Sequence, residues 1–431
     1  MSKYDYVHPS DQIVEFMQRI YDYGMTTTSG GNLSIIDSDK NMWISPSGVD
    51  KGTLRRDNIM CVKADGEIVG RHRPSVEYPF HRDVYKLRND VGAILHAHPP
   101  ALVSFSVAGK IPNTMVHPDA YEVCGKVGFA VYDVPGSDEL GKKVSAPFRD
   151  GSNTVIMENH GTCVCADSMM EAFQRFETLD FTARLLNNAI RLGTPHYLTE
   201  EQIKDALKDR NDEFVPATIA GRTSEEKEMR LQLSQLIRRS YKQQLFTSTT
   251  GTYAMRLSDG KFLVSPSKMD RATITPDDMV LVDGFKYEAG KVPSRATWFI
   301  KAILDAQKDI NAVVIALPPH LMAYGVANVE FNPRVIPESY IVLREVPTFE
   351  FGTQFNDLKA ITDVLSPRYP VIRIKNDCVI TTGKAPLEAF DRLEVAEYSA
   401  KATIDAAGLG GMTPINEEQV ADLVKAFKLI P

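Results

Sequence analysis

The sequence predicts an α/β protein built from two tandem domains. Three observations predict it. Short strand-like apolar runs alternate with helical stripes along the 431 residues. The length allows two domains of ordinary size. The chain also repeats itself. Ser45-Pro-Ser47 returns as Ser265-Pro-Ser267, an offset of 220. Pro74-Ser75 returns as Pro293-Ser294 and Pro99-Pro100 as Pro318-Pro319, both at 219. Asn159 returns as Asn376, at 217, and residues 200–203 return as 417–420 at the same offset. So small a drift is what a duplicated domain with short insertions or deletions leaves. The expected domains are 1–215 and 225–431. The joint is placed at 212–222, where proline, glycine and polar residues interrupt the helical pattern.

The first copy reads in order as follows. Residues 9–24 form an amphipathic helix with Ile13, Phe16, Met17 and Ile20 on one stripe. Residues 26–35 are a small-residue loop entering a strand, and 42–48 a strand running into a turn. Residues 61–69 form a hairpin around Asp65-Gly66. A helix follows from Pro74 to about Leu87, with Ser75 as its N-cap and Pro79 harmless in its first turn. Residues 91–98 are a buried strand that Pro99 and Pro100 terminate. After a variable stretch come a strand and turn at 154–161, a long helix at 168–191 and a short one at 199–208.

A net charge of −7 argues against a nucleic-acid or anionic-membrane partner. No uninterrupted apolar run is long enough to span a membrane, and the first residues show no secretory h-region. Five sparse cysteines, an odd number, suit a reducing compartment, and a cytoplasmic protein is expected. Cys163 and Cys165 read as small buried strand residues.

The chemistry gathers on the strand at 91–98. His96 and His98 are two apart, so both imidazoles point to one face. Such a pair is an incipient site for zinc or a similar divalent transition metal, or else two hydrogen-bonded core histidines. The repeat supplies a control inside the chain. In the second copy His96 and His98 become Ile315 and Leu317, His160 becomes Asp377, Glu77 becomes Ala296 and His117 becomes Ile336. The framework stays readable while these residues vanish together, which favours the metal reading. Residues kept in both copies, such as Ser45, Ser47, Ser75, Asn159 and Tyr121 (Tyr340), need only turn-making, capping or packing roles. The Gly30-Gly31-Asn32 loop and Gly48 are altered, to Thr250-Gly251-Thr252 and Lys268.

Taken together, Ser29-Gly-Gly-Asn-Leu-Ser34, Ser45-Pro-Ser-Gly48, Pro74-Ser-Val-Glu77, His96-Ala-His98 and Asn159-His-Gly161 resemble the class II aldolase/adducin family. The resemblance covers about residues 9–210 and, more weakly, 230–431. It implies αβα sandwiches with a central, largely antiparallel sheet. It implies zinc on His96, His98 and His160, with Glu77 as the acidic residue beside the metal. Three histidines leave an open coordination position, the mark of a catalytic zinc. A ketose could bind there, the zinc stabilising an enediolate as a Lewis acid while Glu77 moves protons. His81 shares the helical face of Glu77 and reads as a hydrogen-bonded packing residue.

In the family, loops matching Gly30, Gly31, Asn32, Ser47, Gly48 and Ser75 hold the substrate phosphate. Glycine-rich turns and a helix N-terminus suit an anion, although the same turns could merely make corners. The implied substrate is a small phosphorylated sugar or sugar acid. The activity expected is aldol cleavage. Decarboxylation, epimerisation or dehydration on the same metal site is the alternative, and an adducin-like scaffold is the non-enzyme alternative. Two features depart from the fuculose-phosphate aldolases. Val76 replaces a second serine, and residues 114–118 hold no tyrosine to donate a proton, leaving His117 as a possible substitute. The resemblance also implies a homo-oligomer, a dimer making a four-domain pseudo-ring, with Tyr340 a candidate donor.

Overall fold

The computed structural model describes residues 3–219 and 222–429. Ala220 and Gly221, within the expected joint, lie outside the described residues, as do Met1, Ser2 and the last two. The chain divides into two compact units: Met1–Thr114 with Asp119–Arg184, and Met115–Pro118 with Leu185–Pro431.

The first unit is organised by an eight-stranded sheet. Its strands are β1 (Asn32–Ile36), β2 (Met42–Ile44), β3 (Met60–Val62), β4 (Ile68–Val69), β5 (Ala93–Ala97), β6 (Val127–Ala130), β7 (Thr154–Met157) and β8 (Gly161–Ala166). They run β4-β3-β2-β1-β5-β8-β7-β6 across the sheet. Every pairing is antiparallel except that of β6 with β7. Each face carries its own core. On one, the helix Pro9–Asp22 lays Ile13, Phe16, Met17 and Ile20 against Leu33, Leu95, Val164 and Phe173. On the other, the helices Tyr78–Leu87 and Asp138–Arg149 pack Phe80, Val84, Val144 and Phe148 against Ile44, Ile94 and Val155. The result is a helix–sheet–helix sandwich with a largely antiparallel centre, as expected.

The second unit repeats this order strand for strand. Thr252–Arg256 stands for β1 and pairs with Phe262–Val264 and Ala312–Ala316 as β1 does with β2 and β5. Thr348–Phe349 again lies parallel to its neighbour, Val371–Ile374. One more strand, Val215–Ala217, joins the far edge parallel to Lys286–Glu288. The caps repeat too: Thr199 and Asn416 each begin a short helix with a capping box.

Two elements differ from the sequence reading. The helix after Pro74 starts later, at Tyr78. Ser75 N–H donates to Ser45 O at 3.2 Å and Pro74 bridges Pro46, so this stretch is held in a sheet-like bridge and cannot yet turn helical. Ser75 Oγ instead accepts from Glu77 N at 3.3 Å. The variable stretch is ordered into the helices Pro100–Val107, Pro118–Cys124 and Asp138–Arg149 and strand β6. No helix among the described residues is long and apolar enough to cross a membrane. The five cysteines are buried and none is in a disulfide, and burial pushes the Cys124 and Cys163 thiols up.

Candidate metal centre

Three elements bring the histidines together. His96 is the fourth residue of β5, and His98 follows just past its end. His160 sits in the tight turn between β7 and β8, where Asn159 takes a left-handed φ of 50°. Asn376 has φ 56° at the matching turn, which explains why an asparagine stands in both copies. Ser106 fixes the His160 turn, accepting from His160 N at 3.0 Å and donating to Met157 O at 2.6 Å. It had no signal in a single copy, but its counterpart is Gly325, so it disappears along with the histidine.

The three imidazoles offer nitrogens that all lie within 4.8 Å of one another. His96 Nε2 and His98 Nε2 are 3.0 Å apart. Two nitrogens bound to one tetrahedral ion at about 2.0–2.1 Å must sit about 3.3 Å apart, so the spacing fits shared coordination. His96 Nδ1 lies 3.0 Å from Thr162 O, an acceptor only. Nδ1 therefore carries a proton and Nε2 faces the cluster. Burial works to lower the His96 pKa, but Glu77 outweighs it and raises it, so a second proton on Nε2 stands where a bound cation would sit. Burial first, then the neighbouring His96 and His160, pull the His98 pKa down to about 3, leaving its imidazole neutral and able to ligate.

Glu77 closes the cluster. Its Oε2 is 3.2 Å from His96 Nε2 and its Oε1 3.2 Å from His160 Nε2. Burial works to raise its pKa, but His96 and His160 outweigh burial and hold the carboxyl well below the usual range. Oε1 is buried without a well-directed hydrogen bond. Three converging imidazoles beside an orphaned carboxylate oxygen fit a divalent cation.

Two glycines make room for His98. A Cβ on Gly30 would lie 2.9 Å from His98 Nδ1, and one on Gly161 only 2.4 Å from His98 Cδ2 and 2.7 Å from Ala97 O. Where His98 is replaced by Leu317, Gly30 is replaced by Thr250 and Gly161 by Cys378. Gly161 belongs to the quoted Asn-His-Gly motif, but its role needed the third dimension. We expect Gly161→Ala to weaken any divalent-metal binding by the cluster roughly ten- to a hundredfold by displacing His98. Zinc titration against a chelating dye measures it. The same substitution in a His98→Leu chain should cost clearly less stability than in the parent, and equal costs would refute the steric account.

The residues expected to hold an anion have mixed environments. Gly31 has φ 72° and Gly48 φ 70°. Gly251 and Lys268 keep this left-handed backbone in the second unit, at 75° and 52°. The N–H groups of Gly30, Ser47 and Ser75 donate to Thr27 O, Arg73 O and Ser45 O. The equivalents Ser267 and Ser294 donate alike, to Val292 O and Ser265 O. The Asn32 amide turns inward: its Nδ2 donates to Glu77 Oε2 at 2.6 Å and its Oδ1 faces His81 Nε2 at 2.5 Å. Lys51, which the sequence reading passed over, is buried beneath the 45–48 turn and donates to Pro46 O at 2.5 Å. Burial lowers its pKa to about 8. Arg271 does the same for Pro266 O, so this cation belongs to the framework of both copies. His117 Nε2 sits 2.7 Å from Asp377 O, within the second unit.

The class II aldolase and adducin N-terminal domain model matches residues 11–186 and again 231–404. The chain belongs to the class II aldolase and adducin family. Among its relatives is a 3-oxo-tetronate 4-phosphate decarboxylase of Haemophilus influenzae, 28% identical over 197 residues, 45% of this chain and 93% of the relative. An L-fuculose phosphate aldolase of Methanocaldococcus jannaschii is 28% identical over 40% of this chain and 93% of its own length. A 5-deoxy-D-ribulose 1-phosphate aldolase of Bacillus thuringiensis is 26% identical over 46% of this chain and 93% of its own. A solved structure of L-fuculose 1-phosphate aldolase matches 45% of this chain and 92% of its own, at 28% identity and a TM-score of 0.41. Relatives of this class II family thus span about one copy of the duplicated chain.

Proposed function

We propose that this class II family member is a zinc-dependent lyase cleaving a small phosphorylated ketose, with its reactive centre in the first copy alone. The observation that carries it is the convergence of His96, His98, His160 and Glu77, all four replaced in the second copy. The ion would supply Lewis-acid stabilisation of negative charge developing on the substrate. The histidines hold it through neutral nitrogens. Glu77 takes the hydroxyl proton as the carbon–carbon bond breaks and returns a proton to carbon afterwards. The phosphate end is assigned to the Gly30–Gly31 and Ser47–Gly48 turns and Ser75, with Asn32 between them and the metal. Domains of 1–215 and 225–431 and a homodimer are proposed with it, the latter to be checked by solution mass.

Decarboxylation of a keto-acid phosphate is the second reading. It is favoured by the absence of a tyrosine from residues 114–118 and by the Haemophilus relative. One experiment tests both. The zinc-loaded chain is given L-fuculose 1-phosphate, 5-deoxy-D-ribulose 1-phosphate and 3-oxo-tetronate 4-phosphate while aldehyde and carbon dioxide are followed. Aldehyde supports the first reading and carbon dioxide the second. Neither product from any substrate would refute both. Metal analysis of the same sample should find one tightly bound ion per chain, and two would contradict a one-copy site.

A further inference from the structure

Behind Glu77 lies a buried chain of hydrogen bonds that no metal chemistry requires. Asn32 Nδ2 donates to Glu77 Oε2 at 2.6 Å. Asn32 Oδ1 is 2.5 Å from His81 Nε2. His81 Nδ1 is 2.7 Å from Ser34 Oγ, which is 2.8 Å from the Tyr85 hydroxyl. Asn32, Ser34, His81 and Tyr85 are all buried, Ser34 and His81 completely.

The donors can be assigned from one end. An ionised carboxylate only accepts, so Asn32 must present its NH2 to Glu77 and its carbonyl to His81. A carbonyl accepts from N–H, so His81 carries its proton on Nε2. Its Nδ1 is then a lone pair, and Ser34 donates to it. Ser34 in turn has its oxygen left to accept from Tyr85. Every donor points toward Glu77. Burial, with the nearby His96, lowers the His81 pKa to about 3, consistent with a neutral ring serving as donor and acceptor at once.

The second copy again acts as a control. Strand register equates Asn32 with Thr252 and Ser34 with Ala254. The matching helices equate Glu77, His81 and Tyr85 with Ala296, Ile300 and Leu304. All five members are replaced, and Thr252 Oγ1 bonds locally to Ser294 Oγ at 2.7 Å. A network needed only for packing would have no reason to vanish along with the histidines. Its members lie on two framework elements that persist.

We propose that Tyr85, Ser34 and His81 are positioning residues that act through Asn32. They hold Glu77 Oε2 as an occupied acceptor and leave Oε1 as the oxygen that exchanges protons with substrate. This rests on Glu77 being the proton carrier of the proposed reaction. It adds that the two carboxylate oxygens are not equivalent and that a buried tautomer keeps them apart.

The first test needs no substrate. In the full-length, zinc-loaded chain labelled with 15N-histidine, the His81 signals are identified by their loss in His81→Gln. A neutral Nε2–H tautomer with Nδ1 accepting is expected. Protonation at Nδ1 overturns the proposal. In Glu77→Ala the lock on the Asn32 amide is gone, and His81 should populate both tautomers; an unchanged His81 spectrum also overturns it. The second test is kinetic, on whichever sugar phosphate the parent cleaves. Tyr85→Phe and Ser34→Ala should keep their zinc and lose roughly ten- to a hundredfold in kcat at little-changed KM. His81→Gln, which can still donate to Asn32, should retain more kcat than His81→Leu. Unaltered kcat in Tyr85→Phe and Ser34→Ala would refute the positioning role. If the parent cleaved nothing, the functional reading would fail, while the tautomer measurements would still judge the network.

Discussion

In His96→Ala the bound metal should be lost and turnover should fall by at least about a thousandfold, while the sandwich stays folded. His96 is fully buried at the end of β5, with Nδ1 engaged by Thr162 O and Nε2 facing the cluster. Removing it leaves two imidazoles, and altering even an outer-shell partner of a metal ligand commonly costs ten- to a hundredfold in affinity. Loss of a ligand and of the Lewis acid with it should cost more. The fold should survive because the hydrophobic clusters on both faces of the sheet have their own packing. The stability cost should be about 1–3 kcal/mol, from a small cavity and the lost hydrogen bond between His96 Nδ1 and Thr162 O. His160→Ala should behave alike. Metal analysis, circular dichroism and urea unfolding would read the three quantities. An unfolded chain would make the centre structural, and full zinc content in both variants would remove these residues from it.

Glu77→Gln should separate binding from chemistry. The amide is nearly isosteric with the carboxylate and leaves all three imidazoles in place, so most of the zinc should remain. It cannot accept and return a proton near neutral pH. General acid–base catalysis contributes roughly a hundred- to ten-thousandfold, and the loss in kcat should fall in that range with a smaller change in KM. The substituted amide can still offer its carbonyl oxygen to Asn32 Nδ2, so the buried network should persist and stability should move little. Zinc content equal to the parent with unchanged kcat would take Glu77 out of the mechanism.

Much of the candidate site was legible because the chain carries two copies of one framework. Comparing them separated the residues of the turns from those of the chemistry. Asn159 and Asn376 share a left-handed turn, while Ser75 and Ser294 accept from the residue two ahead in both copies. His96, His98, His160, Glu77 and His117 were singled out by their joint loss; the fold brings the first four together, while His117 instead lies against Asp377 O in the second unit. Gly161, Ser106 and Lys51 were not singled out. The roles of Gly161 and Ser106 rest on contacts with residues remote in sequence, to which neither periodicity nor spacing is sensitive, while Lys51 bonds Pro46 O only five residues away and shows its role through its burial.

The sequence by itself determined the duplication, the helix–sheet alternation and the histidine set. Those properties are written in local order: alternation places two imidazoles on one face, and a repeat needs only an offset. Only the tertiary structure decided how the polar residues divide among themselves. Asn32 reads in sequence as part of an anion loop, yet its amide lies between Glu77 and His81, because β1 beside the helix Tyr78–Leu87 leaves it a carboxylate on one side and an imidazole on the other. His81 reads as a packing residue and becomes a link in a chain of five. Hydrogen-bond direction is set by which donors and acceptors meet across 45 to 51 residues of chain. Packing decides those meetings.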